Sequence, residues 1–503
     1  MLSGAPDVVA RSRPPVAWAL VLPAAAAELV LLVATANRYG YHRDELYFRV
    51  AGRHPDWAYD DQPALTPLLG RLSEWMFGED PRGLRMVSAI AIALVVVLVA
   101  LIARELGAGR AGQAVAALST AASGIAMAVG HLLSTTTFDL LVWMTIVFLV
   151  VRILAGGDDR QWLLVGLVAG VGLENKHLVL LLLGALTCGC LVARRIDLGR
   201  SPWLWGGAAL ALVLWLPNLI WQARHGWPQL ELARAIGAED PTGNRVQLLP
   251  LQLLLIGPLL APLWIAGLWW LMGRPAAGPF RPLGIAYLTL LATVFVTGGK
   301  PYYTVGLLLP LLGAGAVVAE ERLRAGKTTR LRLGVAIGVS AAVAAAITLP
   351  LVPADDLDAT PIPAVNEDAV ETVGWPTFTA TVAAALNRLP PSERAAAVVL
   401  ASNYGEAGAI ARYGPALGLP RSYSGHNAFW RFGRPPDGAE PIVLVGYRDP
   451  EAVPHSFEAC RLVAQIDNGV GLDNEEQGRP IWTCATTVEP WSKLWPRLRH
   501  LDP

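Results

Sequence analysis

Charge is scarce in this sequence. Of 503 residues only 16% are charged while 54% are hydrophobic, against about a quarter charged in an ordinary soluble chain, so the composition argues for lipid surroundings. The formal net charge is +0 and no long run of one sign occurs, which leaves nothing to mark a nucleic-acid partner. No P-loop and no glycine-rich dinucleotide fingerprint is present, so nucleotide hydrolysis has no sequence support. Lysine is nearly absent, with four among 40 basic residues, and Lys176 and Lys300 therefore stand out. Cysteine is as sparse, with 4 in the chain. Cys188 and Cys190 fall in an apolar run and read as buried filler. Cys460 and Cys484 fall in a polar C-terminal segment, where they form a disulfide if that segment lies outside the cytoplasm, or remain two reduced buried thiols.

Apolar runs, by contrast, are abundant. With about 20 apolar residues needed per crossing helix, spans read at 16–36, 86–103, 111–132, 138–155, 162–174, 177–193, 203–221, 249–272, 282–297, 303–319 and 333–350. The run at 162–174 is short, and only Glu174-Asn175-Lys176 separates it from the next, so a tight turn or broken helix is expected there. As a re-entrant segment it would move every later loop to the other side. The N-terminal run reads as the first span and not as a cleavable signal. With the N-terminus in the cytoplasm, Arg11 and Arg13, Arg104 and Arg110, Arg152 and Arg160, Arg194, Arg195 and Arg200, Arg274 and Arg281, and the basic cluster at 322–332 all fall inside, as the positive-inside bias requires.

Two regions are then expected outside: the loop 37–85 and residues 351–503. The second alternates short apolar runs, such as Ala397-Val398-Val399-Leu400 and Ile442-Val443-Leu444-Val445, with helix-like stretches, the pattern of a small α/β domain. The expectation is a mainly α, polytopic bundle of about eleven helices over 1–350, followed by an extracytoplasmic α/β domain over 351–503.

In the first loop, residues 44–53 fit an amphipathic helix lying along the membrane, with Glu45, Arg49 and Arg53 on one stripe and Leu46, Tyr47, Phe48 and Val50 turned partly to lipid. Glu45 thus reads as the ion-pair partner of Arg49. Asp44 opens the helix, where a carboxylate is favoured by the helix dipole whatever else it does.

Ionisable groups at membrane depth face cavities, partners or substrate paths. On the outer side the set is Asp44, Glu45, Asp60, Asp61, His131, Asp139, Glu174, Lys176, His177, His225 and Lys300. Carboxylates mixed with two lysines suit a phosphate-bearing substrate: a carboxylate takes a proton from an acceptor hydroxyl and a cation steadies the leaving phosphate. Each residue also has a plainer reading. Asp139 follows Ser134-Thr135-Thr136-Thr137 and suits a helix start; Asp60-Asp61-Gln62-Pro63 is ordinary turn composition; Lys176 and Lys300 suit snorkelling at the interface; His225 suits an interfacial turn.

The residues Tyr39-Gly40-Tyr41-His42-Arg43-Asp44-Glu45-Leu46-Tyr47-Phe48 and Tyr59-Asp60-Asp61-Gln62-Pro63 resemble glycosyltransferase family 39, which includes protein O-mannosyltransferases and the lipid A aminoarabinose transferase within the GT-C membrane superfamily. Ser134-Thr135-Thr136-Thr137-Phe138-Asp139, Asn175-Lys176, Leu216-Pro217-Asn218-Leu219-Ile220-Trp221 and Gly299-Lys300-Pro301-Tyr302-Tyr303 extend the likeness over roughly 16–350. In the tail, Asn403-Tyr404-Gly405-Glu406-Ala407-Gly408, Ser424-Gly425-His426-Asn427 and Pro490-Trp491-Ser492-Lys493 look like bacterial members, without an assigned role. Where aminoarabinose transferases carry lysine before the proline of the first-loop motif, this chain has Gln62, and where many relatives have two prolines it has Pro63-Ala64.

The resemblance implies a GT-C bundle that moves a sugar from a polyprenyl-phosphate donor to a glycan, lipid or protein acceptor outside the cytoplasm, with inversion. Asp44 becomes the catalytic base, Asp61 and Asp139 further acidic residues of the site, and Glu45, Asp60, Lys176, Lys300, Tyr302 and Tyr303 substrate contacts. A divalent metal stays undecided, with Asp61 and His225 as its candidate ligands. Two rivals remain. A transporter or flippase of a lipid-linked glycan would show inverted repeats and charges near the midplane; a catalytically silent member would bind glycan or a partner protein through 351–503.

Overall fold

The computed structural model describes residues 13–324, 326–449 and 456–502; Arg11 lies outside them. Helix α1 (Trp18–Thr35) comes first, and the loop after it holds α2 (Arg43–Arg53) and α3 (Leu65–Phe77). The bundle continues through α4 (Pro81–Glu105), α5 (Arg110–Ala121), α6 (Gly124–His131), α7 (Thr135–Leu154), α8 (Gln161–Leu173) and α9 (Val179–Val192). It closes with α10 (Pro202–Arg224), α11 (Pro228–Glu239), α12 (Pro241–Ile256), α13 (Ala261–Gly273), α14 (Arg281–Thr297), α15 (Val305–Leu323) and α16 (Lys327–Thr348).

All eleven apolar runs are helical, yet they do not make eleven full-length spans. Among the described residues 7 helical segments are long and apolar enough to cross a membrane, or up to 9 if each bent pair counts as one. Helices α8 and α9 have 13 and 14 residues, which at about 1.5 Å per residue falls short of a hydrocarbon core of about 30 Å. The pair α5 and α6 bends by 54°, and α12 turns by 87° into the segment Pro258–Gly273. The second break has a local cause. Gly257 takes φ 102°, open to glycine alone at little cost, and Pro258 cannot donate back into the preceding turn.

After the bundle, a five-stranded sheet forms in the order β2-β1-β3-β6-β5, with β1 (Val398–Ala401), β2 (Ser422–Ser424), β3 (Ile442–Val445), β4 (Phe457–Glu458), β5 (Arg461–Gln465), β6 (Pro480–Cys484) and β7 (Thr486–Thr487). Strand β1 runs parallel to β2 and β3, whereas β6 is antiparallel to β3 and β5. β4 and β7 form a separate pair. The central strands β1 and β3 are buried along their whole length, consistent with their unbroken apolar sequences. Cys460 and Cys484 are joined by a disulfide beside β5 and β6, while Cys188 and Cys190 are free and half-buried.

The sheet and the first loop share one core. Leu46, Tyr47 and Phe48 of α2 pack with Phe378, Val399, Tyr404, Ile410, Phe429 and Val443, so these side chains face protein and not lipid. Polarity alone missed this, because it shows which side chains avoid water but not what covers them. Close approach of α2 to the helix Tyr404–Tyr413 depends on two glycines one turn apart. A Cβ on Gly408 would lie 2.8 Å from the carbonyl carbon of Leu46, and one on Gly405 would lie 2.9 Å from Cβ of Arg43. The tail motif Asn403–Gly408 is therefore, in part, a helix-packing motif.

Candidate active site

Helix α2 starts with a reciprocal cap: the His42 ring accepts from the Asp44 amide at 3.2 Å, and Glu45 accepts from the His42 amide at 2.8 Å. The cap fixes the direction of Asp44 at the first turn. Glu45 is fully buried. Its Oε1 accepts from Arg85 Nε at 2.8 Å and from the Leu133 amide at 2.9 Å, and its Oε2 accepts from Arg85 Nη2 at 2.7 Å as well as from His42. Four donors use the acceptor capacity of one carboxylate, so Glu45 is spent inside the protein and does not reach a substrate. The expected Glu45–Arg49 pair does not form. Arg49 instead pairs with Glu74 of α3 and with Glu79, and Glu45 is taken by Arg85 of α4. Arg85 also donates to the carbonyls of Ala36 at 2.6 Å and Gly40 at 2.8 Å, so one arginine pins both ends of the approach to Asp44.

Asp44 itself stays half-buried. Its Oδ1 accepts from the Tyr404 hydroxyl at 2.9 Å. Asp61 accepts from the Tyr47 hydroxyl at 2.5 Å, and the Tyr47 and Tyr404 rings lie 4.9 Å apart. Two carboxylates are thus held by two touching phenols. Burial pushes the Asp61 carboxyl from 3.8 up to about 7, the Tyr47 hydrogen bond opposes this, and the nearby Asp60 and Asp44 charges add to it. Burial and the adjacent Asp44 likewise push the Tyr404 phenol well above its ordinary value, so it remains a donor at neutral pH.

Asp60, fully buried, has a different role: Arg431 and Arg499 of the C-terminal region both pair with it, Arg499 at 3.2 Å. It anchors the tail to the first loop. Asp139 is buried, accepts from Trp143 Nε1 at 3.1 Å and has Lys176 as its opposite-charge neighbour. Lys176 donates to Thr136 Oγ1 at 3.1 Å and sits 5.2 Å from the centre of the Tyr302 ring. Asn175 holds this corner together, accepting from Thr66 at 2.6 Å and donating to the Thr135 carbonyl at 2.8 Å. Segments 65–66, 135–136 and 174–176 therefore meet at one point.

Asp44, His42, Lys176, Tyr302 and Ser134–Thr136 line the polar end of a cleft of about 550 Å³. Ile125 from α6, Leu251 and Leu254 from α12, and Val339, Val343 and Ile347 from α16 supply apolar walls, and Ser340, Thr348, Asn366 and Asp368 add further polar groups to the lining. The broken pair α5/α6 and the break at Gly257–Pro258 open this space. Lys300 does not join it: its ammonium pairs with Glu239 at 3.4 Å. Tyr303 packs edge-on against Tyr302 at 4.9 Å. His225 stacks on Trp221 at 4.0 Å with Nδ1 at 2.7 Å from the Trp221 carbonyl, and Asp61 is engaged with Tyr47. These two do not assemble a metal-ligating group. Among the described residues the group whose ligand atoms converge is Glu371, Glu475 and Glu476. Tyr404 and Tyr47 had no assigned role in the sequence; the quoted tail motif containing Tyr404 was the available signal.

A family model described as dolichyl-phosphate-mannose-protein mannosyltransferase matches residues 61–221. The structure is similar to that of ArnT from Cupriavidus metallidurans bound to undecaprenyl phosphate, with TM-score 0.62 and 16% identity over 93% of this chain and 98% of that one. It is also similar to arabinofuranosyltransferase AftD from Mycobacteria, with TM-score 0.51 and 15% identity over 94% of this chain and 40% of that one. No curated protein matches it in a sequence search. Matched in sequence over 61–221 and in architecture along most of its length, the chain is a multi-pass membrane protein of the GT-C fold, similar to glycosyltransferase family 39.

Proposed function

We propose that this protein transfers a sugar from a polyprenyl-phosphate donor to an acceptor hydroxyl on the extracytoplasmic side, with Asp44 as base. One observation carries the reading: a half-buried carboxylate and a lysine line one cleft whose walls from α6, α12 and α16 are largely apolar. A lipid phosphate has that same division of chemistry. Its isoprenoid chain fits between α6, α12 and α16, and α16 is only 11% buried within the protein, which leaves a side entrance from lipid. The N-terminus is cytoplasmic in this reading, and the first loop and the C-terminal region are outside.

In the reaction, Asp44 takes the acceptor proton as the acceptor oxygen attacks the anomeric carbon. The bond from that carbon to the phosphate oxygen breaks on the opposite face, giving inversion, and Lys176 steadies the charge left on the phosphate. Tyr404 orients Asp44 through the 2.9 Å hydrogen bond. No covalent intermediate is needed, since the phosphate departs without protonation and one base suffices for direct displacement. Asp61 and Asp139 support the site, Asp61 through Tyr47 and Asp139 beside Lys176. The ArnT structure contains undecaprenyl phosphate, which supports a lipid-phosphate ligand for this cleft.

A donor-binding measurement with polyprenyl-phosphate sugars of defined headgroup tests the reading. Lys176→Ala is expected to raise the donor KM by roughly tenfold or more, as loss of a charge-assisted contact of about 1.5–3 kcal/mol requires. Unchanged donor affinity in a folded variant refutes the phosphate role.

A further inference from the structure

A second polar centre lies on the other side of Arg43 from the cleft. Glu371 precedes the helix Trp375–Asn387, and Glu475 and Glu476 lie in the loop between β5 and β6. One carboxylate oxygen from each lies within 4.8 Å of the other two. Glu371 and Glu476 are 7% and 4% exposed, and Oε2 of each is buried with no hydrogen-bond partner in the protein. Their other contacts are long: Glu371 Oε1 accepts from the Glu475 amide at 3.4 Å, and Glu476 Oε1 accepts from Asn403 at 3.5 Å.

The positive charge nearby is directed elsewhere. Arg43 pairs with Glu475, and Arg479 approaches the same residue at 3.9 Å, so the more exposed carboxylate takes both arginines while the two buried ones face each other. Glu367, Asp44 and Glu406 add further negative charge, and His42 and Arg43 offset it only in part. Two unpaired carboxylate oxygens buried side by side are costly unless something binds them.

We propose that Glu371, Glu475 and Glu476 hold a divalent hard cation of the calcium class. All-oxygen carboxylate donors without sulfur or imidazole select such an ion, and the mixture of buried and exposed ligands suits calcium, which tolerates irregular coordination, better than magnesium. Bound there, the ion adds a third tie among segments already joined by Asn474 donating to the Val373 carbonyl at 3.1 Å and by the Gly40 amide donating to the Thr372 carbonyl at 3.1 Å. The ion competes with Arg43 for Glu475. Arg43 lies 5.1 Å from the centre of the Tyr404 ring, and Tyr404 holds Asp44, so occupancy reaches the first loop through one side chain. That last link rests on the proposed role of Asp44; the cation site does not.

The test uses full-length protein in detergent, stripped with chelator, and reads binding without any turnover. Calcium is expected to raise the melting temperature, with magnesium at equal concentration doing less. Glu476→Gln is expected to melt at or above the stripped wild type, because one repulsive charge is gone, and to lose the calcium-dependent rise; Glu475→Gln, on the exposed ligand, loses it as well. No rise in the wild type, or an equal rise in both variants, overturns the proposal. Should Glu476→Gln fail to fold, a terbium luminescence titration of the wild type and of Glu475→Gln decides. Saturable signal displaced by calcium and lost in the variant supports the site, and its absence from the wild type, or its persistence in the variant, refutes it.

Discussion

The first outer loop carries two acidic pairs, Asp44-Glu45 and Asp60-Asp61, and the structure splits both in the same way. In each, one carboxylate is fully buried and paired with arginine: Glu45 with Arg85, and Asp60 with Arg431 and Arg499. The other accepts a hydrogen bond from a tyrosine: Asp44 from Tyr404 and Asp61 from Tyr47. The pairs differ in what they anchor. Glu45 ties the loop to the membrane bundle through α4, whereas Asp60 ties it to the C-terminal region. The first loop is therefore clamped from two sides, and the carboxylates free for the proposed chemistry are those that arginine has not claimed.

The comparison breaks most severely at Arg85. Arg85→Ala leaves Glu45 charged and buried without its partner, at a cost of about 3–5 kcal/mol, a large share of a typical folding free energy of about 5–15 kcal/mol. Thermal unfolding in detergent is expected to show a steep loss of stability, and an unchanged melting temperature would remove the clamp from the account.

A smaller effect is expected at Tyr404. Tyr404→Phe keeps the ring against Tyr47 and deletes one hydrogen bond to Asp44. At about 1–1.5 kcal/mol for that bond, turnover falls by roughly tenfold while donor KM and melting temperature stay near wild type. A fall in stability without a fall in turnover would make Tyr404 a packing residue only.

A third effect, read in stability against pH, concerns Asp61. Its carboxyl is raised from 3.8 to about 7 by burial, so between those values the folded protein keeps a proton that the unfolded chain has released. The unfolded state then binds fewer protons, and stability falls as pH rises through that window and levels above it. Asp61→Asn removes this contribution, so its melting temperature is expected to decline less between pH 4 and pH 7 than that of the wild type. Parallel pH profiles for the two proteins would contradict the assignment.

Much of this was legible in the sequence, because the membrane writes its constraints along the chain. Every one of the eleven apolar runs is helical, though run length did not show that two of them hold bent pairs. The rarity of lysine marked Lys176, which lies at the cleft, but it marked Lys300 as well, and that residue is occupied by Glu239. Rarity signals cost, and an ion pair meets the cost as well as a substrate does. The partner of Glu45 was missed because i, i+4 spacing sees only its own helix, whereas Arg85 is forty positions away and comes from α4. The α2 face that reads as lipid-directed is covered by the helix Tyr404–Tyr413, more than three hundred residues later, and Gly405 and Gly408, which let that contact close, look in sequence like ordinary small residues. Asp44 and Asp61 were visible as acids; the phenols that separate them from Glu45 and Asp60 were not.

In the proposed reaction Asp44, and not its neighbour, is the base. Turnover of Asp44→Asn in membranes with a polyprenyl-phosphate sugar donor tests it most directly, read together with donor binding and melting temperature. Turnover is expected to fall by about 10²–10⁴-fold, the usual contribution of a general base, with the fold and donor binding retained. Wild-type turnover by a folded Asp44→Asn protein would contradict it.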